Sequence, residues 1–567
     1  MLHLIPGVKT LEEKGGFLKE RTIRYEGDEY DIRLLQAVEK LPRSKQGTML
    51  SVRLAGGTGE GYELWIEPES IRIQAESLAG AFYGVPPLRQ LLKNEQVPCL
   101  YIRDWPDFPY RGFYHDATRG KVPTVESVKK LIDQMAYYKM NSLQLYVEHT
   151  FEFEECKDLH PHTGCLTASE LRELDEYCKG NFIDFVPSLS TFGHLYELLE
   201  QEQFQHLRVM PEFPEKYNFW HARMGHHTID PLHPESIQVI RSLIDQYAPH
   251  FTSDIFNICC DETFDLKNYP DPTQDTGRLY VDFVQKIIAH VQSKGKRVMM
   301  WADILLQHPE TIEELPEDVI FLNWNYRAQP PEEKVAHFAS LGRKQIVCPG
   351  TTTWSRLCED VDTEEQNICR MADFGAKYGA LGVLNTNWGD WGNPCSVELA
   401  MYGRVLGAAK SWTVATKPDE GFYSQVNDLL YGSDAGIRSL KALCDIHSYI
   451  KWNHFARCYF AHRFEGKTDV APFEKDHVSQ VQQRYQALVA ALQEQVWGDD
   501  ECRQEMLIAA EGLCLLAELY AKLGGFPVER LTDTEAWIAK YRAKWLAKNK
   551  ESELRNIEEM LRYCEAI

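Results

Sequence analysis

Eight short apolar runs between residues 111 and 389 decide the fold of this 567-residue chain. Each run has the length and composition of a buried β-strand, and amphipathic helical patterns separate them. The runs are RGFYHDA (111–117), NSLQLYVE (141–148), FIDFVPSLS (182–190), IFNICCDE (255–262), RVMMWADI (297–304), VIFLNWNY (319–326), QIVCPGTT (345–352) and GVLNTNWG (382–389). Eight strands alternating with helices over about 300 residues predict an α/β fold, the (β/α)8 or TIM barrel. A doubly wound open sheet is the alternative.

The segments on either side of these runs have different patterns. Residues 1–105 alternate strand-like runs with turns and predict a small α/β domain, in which a helix over 81–92 carries two prolines near its start. Residues 106–425 form the predicted barrel domain. Residues 426–567 carry apolar side chains on single helical faces and predict an α-helical domain that packs on the barrel.

Composition excludes several classes of partner. The chain has 84 acidic and 61 basic residues and a formal net charge of −23. A field of this sign repels phosphate backbones and anionic lipids, so we expect no nucleic-acid and no membrane partner. The start of the chain lacks the pattern of a secretion signal, and fifteen scattered cysteines form no CxxC pair. We therefore expect a reducing, cytoplasmic location.

Polar and aromatic residues follow the predicted strands where a TIM barrel places its active site, at the carboxyl ends. Carboxylates surrounded by indole rings are typical of a sugar site, because a pyranose combines an apolar face with a belt of hydroxyl groups. Strand one offers Arg111, and the residues at the ends of the other strands are Glu148, His194, Asp261, Glu262, Trp301, Asp303, Trp324, Tyr326, Trp354, Trp388 and Asp390.

The adjacent acids Asp261 and Glu262 are the sharpest signal, because they directly follow the apolar run IFNICC. Where the strand ends the chain turns, so both carboxylates can reach one pocket, and cleavage of a glycosidic bond requires an acid for the leaving oxygen. An acid pair that caps a helix is the structural alternative. Metal-ligand spacings, phosphate-binding loops and serine-nucleophile motifs are missing from the sequence, so we expect neither a metal nor a cofactor.

Over roughly residues 60–410 the chain resembles glycoside hydrolase family 20, the β-N-acetylhexosaminidases. The resemblance rests on ordered motifs, and two of them are most similar to the branch containing hexosaminidase D and bacterial intracellular enzymes. Those two are LYVEHTFEF (145–153) and STFGHLYELLEQEQFQHLR (190–208); the others are GYELWIEPESIRIQAESLAGAFYGVPPLRQLL (61–92), YRGFYHDATRG (110–120), CCDE (259–262), WADI (301–304) and NWGD (387–390).

The resemblance implies a retaining, exo-acting hydrolase of terminal β-linked GlcNAc or GalNAc in a small oligosaccharide or glycoconjugate. Glu262 would be the general acid/base, and Asp261 would support the 2-acetamido group that acts as nucleophile. The remaining implied contacts are Arg111 and Asp390 on the sugar hydroxyls, Trp301, Trp324 and Trp388 as walls, and His194 and Glu148 as supporting polar residues.

The sequence departs from the family pattern at three places. Cys259 and Cys260 replace the glycine usual before the acid pair, and His149 replaces the acid that commonly follows Glu148 in the related branch. The tyrosine that binds the acetamide oxygen has no clean match: Tyr326 is one candidate, and Trp354 stands near the usual location. Two other functions remain open: a barrel glycosidase with a covalent carboxylate nucleophile, partnered by a residue such as Asp303, and a non-catalytic carbohydrate-binding relative. Homodimerisation also remains open.

Overall fold

A computed structural model of the chain describes residues 3–27, 29, 31–210, 219–223, 225, 227–467 and 475–567. The amino-terminal segment forms a six-stranded sheet in the order β1-β6-β4-β5-β3-β2, together with two helices. These elements are β1 (Thr10–Phe17), β2 (Ile23–Tyr25), α1 (Ile32–Glu39), β3 (Thr48–Leu54), β4 (Tyr62–Ile66), β5 (Ser70–Ala75), α2 (Leu78–Leu91) and β6 (Pro98–Asp104).

The two prolines of α2 lie in its second half, at Pro86 and Pro87, and not near its start as the sequence analysis expected. Proline inside a helix removes a backbone hydrogen bond. Helix α2 is buried along most of its length, so packing against the sheet offsets this loss.

The central segment alternates strands with helices. Its elements are β7 (Tyr110–Asp116), α3 (Val125–Tyr137), β8 (Ser142–Val147), α4 (His160–Thr163), α5 (Ala168–Gly180), β9 (Asp184–Leu189), α6 (Tyr196–Glu200), α7 (Phe219–Arg223), α8 (Ser236–Tyr247), β10 (Ile255–Asn257), α9 (Thr276–Ser293), β11 (Arg297–Trp301), β12 (Ile320–Trp324), α10 (Glu333–Ser340), β13 (Gln345–Cys348), β14 (Gly350–Thr351), α11 (Val361–Lys377), β15 (Gly382–Asn387) and α12 (Met401–Trp412).

Eight of these strands, β7 to β13 and β15, close into a parallel barrel. Strand β15 pairs with β7 along its whole length and also with β13, where Ile346 lies opposite Gly382. The closure confirms the predicted TIM barrel and rules out the open sheet, while β14 only extends the pairing along β15. Two of the barrel helices begin with side-chain caps: Thr124 accepts a hydrogen bond from Ser127 N, and Thr167 forms a capping box with Glu170.

The fourth barrel strand is shorter than the run IFNICCDE suggested, because β10 ends at Asn257. Cys259, Cys260 and Glu262 have φ values of 56°, 65° and 49°. Residues other than glycine rarely adopt this left-handed backbone region. Such backbone strain persists only where the surrounding structure imposes it, often at functional sites. The chain therefore leaves the sheet just before the acid pair and turns it toward the barrel mouth.

The carboxyl-terminal segment is helical, as expected. Its helices are α13 (Glu420–Val426), α14 (Gly436–Tyr449), α15 (Trp452–Glu465), α16 (Lys475–Glu494), α17 (Asp500–Leu523), α18 (Thr534–Leu546) and α19 (Leu554–Ala566). Within the residues given above, no helix combines the length and the apolar composition of a membrane span.

These helices bind loops at the mouth of the barrel. Lys550 N donates to Val122 O at 2.8 Å in the loop after β7. The indole nitrogen of Trp452 donates to the carbonyl of Trp391 at 2.7 Å in the loop after β15. Backbone and side-chain hydrogen bonds thus fix both loops to the helical segment.

A buried carboxyl pair lies between β13 and the helices α11 and α12. The Glu359 carboxylate accepts hydrogen bonds from Tyr402 N and Gly403 N, and Glu364 accepts one from Thr352 N. Both side chains are fully buried. Burial raises the pKa of Glu359 to about 7 and raises the pKa of Glu364 well above its ordinary value.

Candidate active site

A pocket of about 150 Å³ opens at the carboxyl ends of the barrel strands. Six of the eight barrel strands, or the loops that follow them, contribute to its lining, as expected for a TIM-barrel active site. The lining residues are Arg119, Asp261, Glu262, Trp301, Trp324, Tyr326, Trp354, Trp388 and Asp390. Eight of these nine were named from the sequence, and Arg119 was not.

The two adjacent acids share one imidazole. His194 Nε2 lies 3.3 Å from Asp261 Oδ2 and 3.4 Å from Glu262 Oε2, so both carboxylates point to the same side of the pocket. Asp261 is nearly buried, and its Oδ1 has no hydrogen-bond partner among the described residues. An unpartnered buried carboxylate oxygen is costly unless a ligand group donates to it.

His194 lies behind the acids and connects them to Arg119. Arg119 Nη2 lies 3.2 Å from His194 Nδ1, and the other ring nitrogen, Nε2, faces the two acids. Burial lowers the pKa of His194, but the carboxylates of Asp261 and Glu262 outweigh burial and raise it to about 10. Arg119 opposes this rise with its own positive charge. The imidazole thus holds both carboxylates in place.

Arg119 is the cation of the pocket. Its Nη1 lies 2.9 Å from Asp390 Oδ1, and its guanidinium lies over the rings of Tyr146 and Trp388 at 5.0 and 5.2 Å. The ion pair and the two rings fix the guanidinium plane. Arg119 and Asp390 together present donors and acceptors to one edge of the pocket, as recognition of vicinal hydroxyl groups requires.

The structure corrects the prediction for Arg111, which lies at the opposite end of the barrel. Its side chain is fully buried and forms an ion pair with Glu60, with Nη1 to Oε2 at 2.6 Å. Arg111 begins strand β7 and Arg119 follows it, so only Arg119 reaches the carboxyl ends. The rule that barrel sites lie at strand carboxyl ends, applied to this strand, would have identified Arg119.

Aromatic rings form the pocket walls. Trp301 and Trp388 lie with ring centroids 5.8 Å apart, and Tyr114 packs against each at 5.1 Å. On the other side, the rings of Trp324 and Tyr326 stack at 5.0 Å. Trp388 Nε1 donates to the Tyr326 hydroxyl at 2.8 Å, which joins the two walls. Trp354, 5.1 Å from Tyr326, completes this side.

Asp303 and Glu148 support the pocket without lining it. Asp303 Oδ2 accepts from Glu262 N at 3.0 Å and so fixes the strained backbone of the acid pair. Burial, followed by the charges of Asp261 and Glu262, raises the pKa of Asp303 to about 7. Glu148 accepts from the Tyr146 hydroxyl at 2.7 Å and lies 3.4 Å from Arg119 Nε. Both residues therefore position neighbours, and neither contacts the pocket space.

A divalent metal ion is a second type of ligand to consider for this site. Oxygen and nitrogen atoms of His194, Asp261 and Glu262 lie within 4.8 Å of one another, close enough to share an ion. The guanidinium of Arg119 lies next to the same imidazole and would repel a divalent ion there. The expectation of no metal remains a prediction.

Comparison with known families gives two matches. The catalytic domain of glycosyl hydrolase family 20 matches residues 108–415, and domain 2 of the same family matches residues 5–105. A β-hexosaminidase of Akkermansia muciniphila is 32% identical over 158 residues, which is 24% of this chain and 32% of that protein. The chain spans about a third to a half of the length of the curated relatives that it matches.

Solved structures show the same fold. A chitobiase of Flavobacterium johnsoniae has a TM-score of 0.63 at 16% identity, covering 98% of this chain and 99% of that one. An exo-β-N-acetylglucosaminidase of Vibrio harveyi, in complex with N-acetylglucosamine, has a TM-score of 0.58 at 20% identity and covers 74% of this chain and 75% of that one. The likeness to the chitobiase extends through the carboxyl-terminal helices.

Proposed function

The chain belongs to glycosyl hydrolase family 20, and on this premise we propose that it is a retaining exo-β-N-acetylhexosaminidase. The observation that carries the proposal is the acid pair: Asp261 and Glu262 both line one indole-walled pocket and share the imidazole of His194. The proposed substrate is a small oligosaccharide or glycoconjugate with a terminal β-linked GlcNAc or GalNAc.

Glu262 is the proposed general acid/base. Its carboxyl group is the more exposed of the two, with 22% of the side chain accessible against 10% for Asp261. A group that protonates a leaving oxygen and later deprotonates water must reach the open side of the pocket. The hydrogen bond from Glu262 N to Asp303 holds the backbone at that position.

Asp261 is the proposed partner of the 2-acetamido group. Its buried, unpartnered Oδ1 can accept the amide N–H, and its charge then stabilises the positive charge that spreads onto this nitrogen in the transition state. The Tyr326 hydroxyl, which accepts from Trp388, lines the same pocket and is the proposed contact of the acetamide oxygen. This arrangement supports the proposal of substrate-assisted catalysis.

The proposed reaction has two steps at C1. First the acetamide oxygen attacks C1, the C1–O bond to the aglycone breaks, and Glu262 gives its proton to the departing oxygen, leaving a cyclic oxazolinium. Then water attacks C1, the bond to the acetamide oxygen breaks, and Glu262 takes the water proton. Two inversions give a β-configured product.

Arg119 and Asp390 are proposed to bind the hydroxyl groups of the terminal sugar. Their ion pair lines the same pocket as the acids, and Trp301, Trp324 and Trp388 supply the apolar surface for the ring. Exo action on a terminal sugar is part of the proposal and rests on the family membership of the chain.

The alternative with a covalent carboxylate nucleophile has less support. The partner carboxylate expected from the sequence is Asp303, and that residue accepts from Glu262 N and does not line the pocket. Aryl β-GlcNAc and β-GalNAc should be hydrolysed, whereas the matching 2-hydroxy glycosides should react slowly or not at all. Comparable rates on the 2-hydroxy sugars, or an α-anomer as the first product in NMR, would exclude the substrate-assisted scheme. A lack of hydrolysis of every glycoside would favour a carbohydrate-binding role.

A cytoplasmic location remains a proposal. All fifteen cysteines are free thiols, and most are buried, as in proteins of reducing compartments. The branch assignment likewise rests on the two motifs LYVEHTFEF and STFGHLYELLEQEQFQHLR.

A further inference from the structure

Two histidines and a glutamate form a cluster on the protein surface. His206 belongs to the short 3₁₀ helix Gln205–Leu207, and His233 and Glu235 come directly before α8. Nitrogen and oxygen atoms of the three side chains all lie within 4.8 Å of one another. None of the three residues lines the active-site pocket. This surface cluster is therefore a candidate site for an ion that is separate from catalysis.

Two of the side chains already form a close pair. His206 Nε2 lies 2.9 Å from Glu235 Oε2, and an ionised carboxylate only accepts, so Nε2 carries the proton between them. A metal ion replaces such a proton, because imidazole binds metals through an unprotonated nitrogen. Zinc–ligand distances of about 2.0–2.2 Å place tetrahedral neighbours about 3.4 Å apart, so the pair needs to open by only ~0.5 Å. The two side chains are 48% and 45% exposed, which leaves them room to move.

His233 supplies the third ligand. The centroid of its ring lies 5.2 Å from that of His206, with the two ring planes at 77°. Glu235 N donates to His233 Nδ1 at 3.3 Å, so this nitrogen is unprotonated. A metal ion would displace this long hydrogen bond and use the same lone pair. Two imidazoles and one carboxylate, with water in the fourth position, are a donor set that zinc uses in proteins.

Backbone contacts hold the ligands near one another without an ion. Asp230 N donates to Leu207 O at 2.7 Å, which joins the segment of His206 to the turn before α8. The side chain of Asp230 accepts from the Tyr269 hydroxyl at 2.9 Å, which fixes that turn from a third segment. The backbone positions of the three ligands are thus set before an ion binds, so binding requires only side-chain movement.

Charge distinguishes the surface cluster from the acid pair of the active site. In the active site Arg119 lies next to His194 and opposes a divalent ion. Within the described part of the chain, no lysine or arginine forms an ion pair with Glu235, whose partner is His206. The net charge of −23 adds a general attraction for cations.

We propose that His206, His233 and Glu235 bind one divalent transition-metal ion, with Zn²⁺ as the probe of this chemistry. Imidazole ligands favour zinc, nickel or copper, whereas magnesium and calcium prefer sites made of oxygen alone. The ion would link the segment that follows β9 to the start of α8. The expectation of no metal rested on spacings along the chain, and His206 lies 27 residues before His233, so these ligands meet only in the fold. Removal of this ion should leave the rate of hydrolysis unchanged.

Equilibrium dialysis of the full chain with Zn²⁺ at pH 7 tests the proposal. We expect saturable binding of one ion per chain at this site, and a large excess of Mg²⁺ should not displace it. His206→Gln and His233→Gln should each weaken binding by about tenfold or more, since even residues behind metal ligands contribute about 10–100-fold. His290→Gln is the matched control and should bind as the wild type does. His290 pairs with Asp245 at 2.7 Å but belongs to no three-residue ligand group among the described residues.

Two further variants make the result decisive. Glu235→Gln preserves the size of the side chain and should also weaken zinc binding. Asp261→Asn should leave it intact, and loss of binding there would place the ion at the acid pair and overturn the proposal. Absence of saturable binding, displacement by Mg²⁺, or wild-type affinity in both histidine variants would overturn it as well.

The variants are expected to fold, because an exposed ion pair contributes little to stability. Zinc should raise the melting temperature of the wild type and of His290→Gln, and it should have a much smaller effect on His206→Gln. An equal rise in all three proteins would show that zinc binds elsewhere. All of these measurements are independent of hydrolase activity.

Discussion

Arg119 and Asp390 form an ion pair at the edge of the active-site pocket, with Nη1 2.9 Å from Oδ1. This pair orients the guanidinium that faces the sugar hydroxyl groups in the proposed complex. Arg119→Lys should lower kcat/KM on aryl β-N-acetylhexosaminides by roughly 10–100-fold, because lysine cannot reproduce the planar fork.

Arg111→Lys provides the comparison for this prediction. It weakens the ion pair with Glu60 far from the pocket, so it should lower the melting temperature and leave kcat/KM nearly unchanged. If the Arg111 variant lost activity while folded and the Arg119 variant did not, the placement of the sugar at Arg119 would be wrong.

Replacing Glu262 by glutamine should lower turnover by about 10²–10⁴-fold, since the amide cannot transfer the proton. Circular dichroism should show an unchanged fold, because the two side chains are nearly isosteric. An aryl substrate with a very acidic phenol should be affected least in its first step. Glu313→Gln, at an exposed position, is the control and should keep wild-type turnover. Near-wild-type turnover in Glu262→Gln would show that Glu262 is not the general acid/base.

Asp261→Asn should lower kcat much more than it raises KM. The carboxylate contact with the acetamide N–H strengthens as positive charge develops on nitrogen, so its loss is felt in the transition state. Steady-state kinetics on an aryl β-GlcNAc measure both parameters. A rise in KM at unchanged kcat would instead assign Asp261 to ground-state binding alone.

Prolonged EDTA treatment should leave the rate unchanged. The positive charge of Arg119 next to His194 disfavours a divalent ion at the acid pair. Activity should be measured before and after dialysis, with single divalent ions added back. A loss that one ion restores would show that His194, Asp261 and Glu262 bind a metal.

The buried pair of Glu359 and Glu364 gives a pH prediction. Both pKa values are raised in the folded protein, so these groups bind protons more tightly there than in the unfolded chain. Their contribution to the free energy of unfolding is present at acid pH. It is lost as the pH rises from about 4.5 toward 7, by at most ~1.4 kcal/mol per pH unit for each group.

Glu364→Gln should remove part of this dependence. Its melting temperature relative to the wild type should rise steadily between pH 5 and 8, whereas Glu333→Gln, at an exposed position, should show a constant difference. A difference for Glu364→Gln that is flat with pH would mean that the carboxyl group ionises normally in the folded state.

The barrel could be predicted from sequence because each strand is a local apolar run and helical patterns separate the runs. Asp261 and Glu262 were identifiable for a similar reason: two acids directly after IFNICC have no place in a core. The indoles near the strand ends followed from the same rule, and Trp301, Trp324, Trp354 and Trp388 all line the pocket.

Three features could not be predicted from local sequence, because they depend on the folded arrangement. They are the position of Arg119 at the barrel mouth, the contact of His194 with both acids, and the turn at Cys259. Arg111 and Arg119 are both arginines near strand one, and only the direction of the strand tells which one reaches the mouth. His194 meets the acids from a separate loop, 67 residues before Asp261 in the numbering. The left-handed backbone at Cys259 runs against the preference of that residue, so no local pattern announces it.

The attachment of the carboxyl-terminal helices to the barrel mouth bears on how such a protein can be divided or recombined. Trp452 binds the carbonyl of Trp391, one residue after Asp390, and Lys550 N binds the loop that follows Arg119. A fragment ending near residue 425 would therefore retain every proposed catalytic side chain and still lose the supports of the proposed sugar-binding edge. We expect substitutions in these helices and in the two loops to be inherited together. A chimaera that exchanges the helices without the loops, or the loops without the helices, should fold but should not hydrolyse substrate.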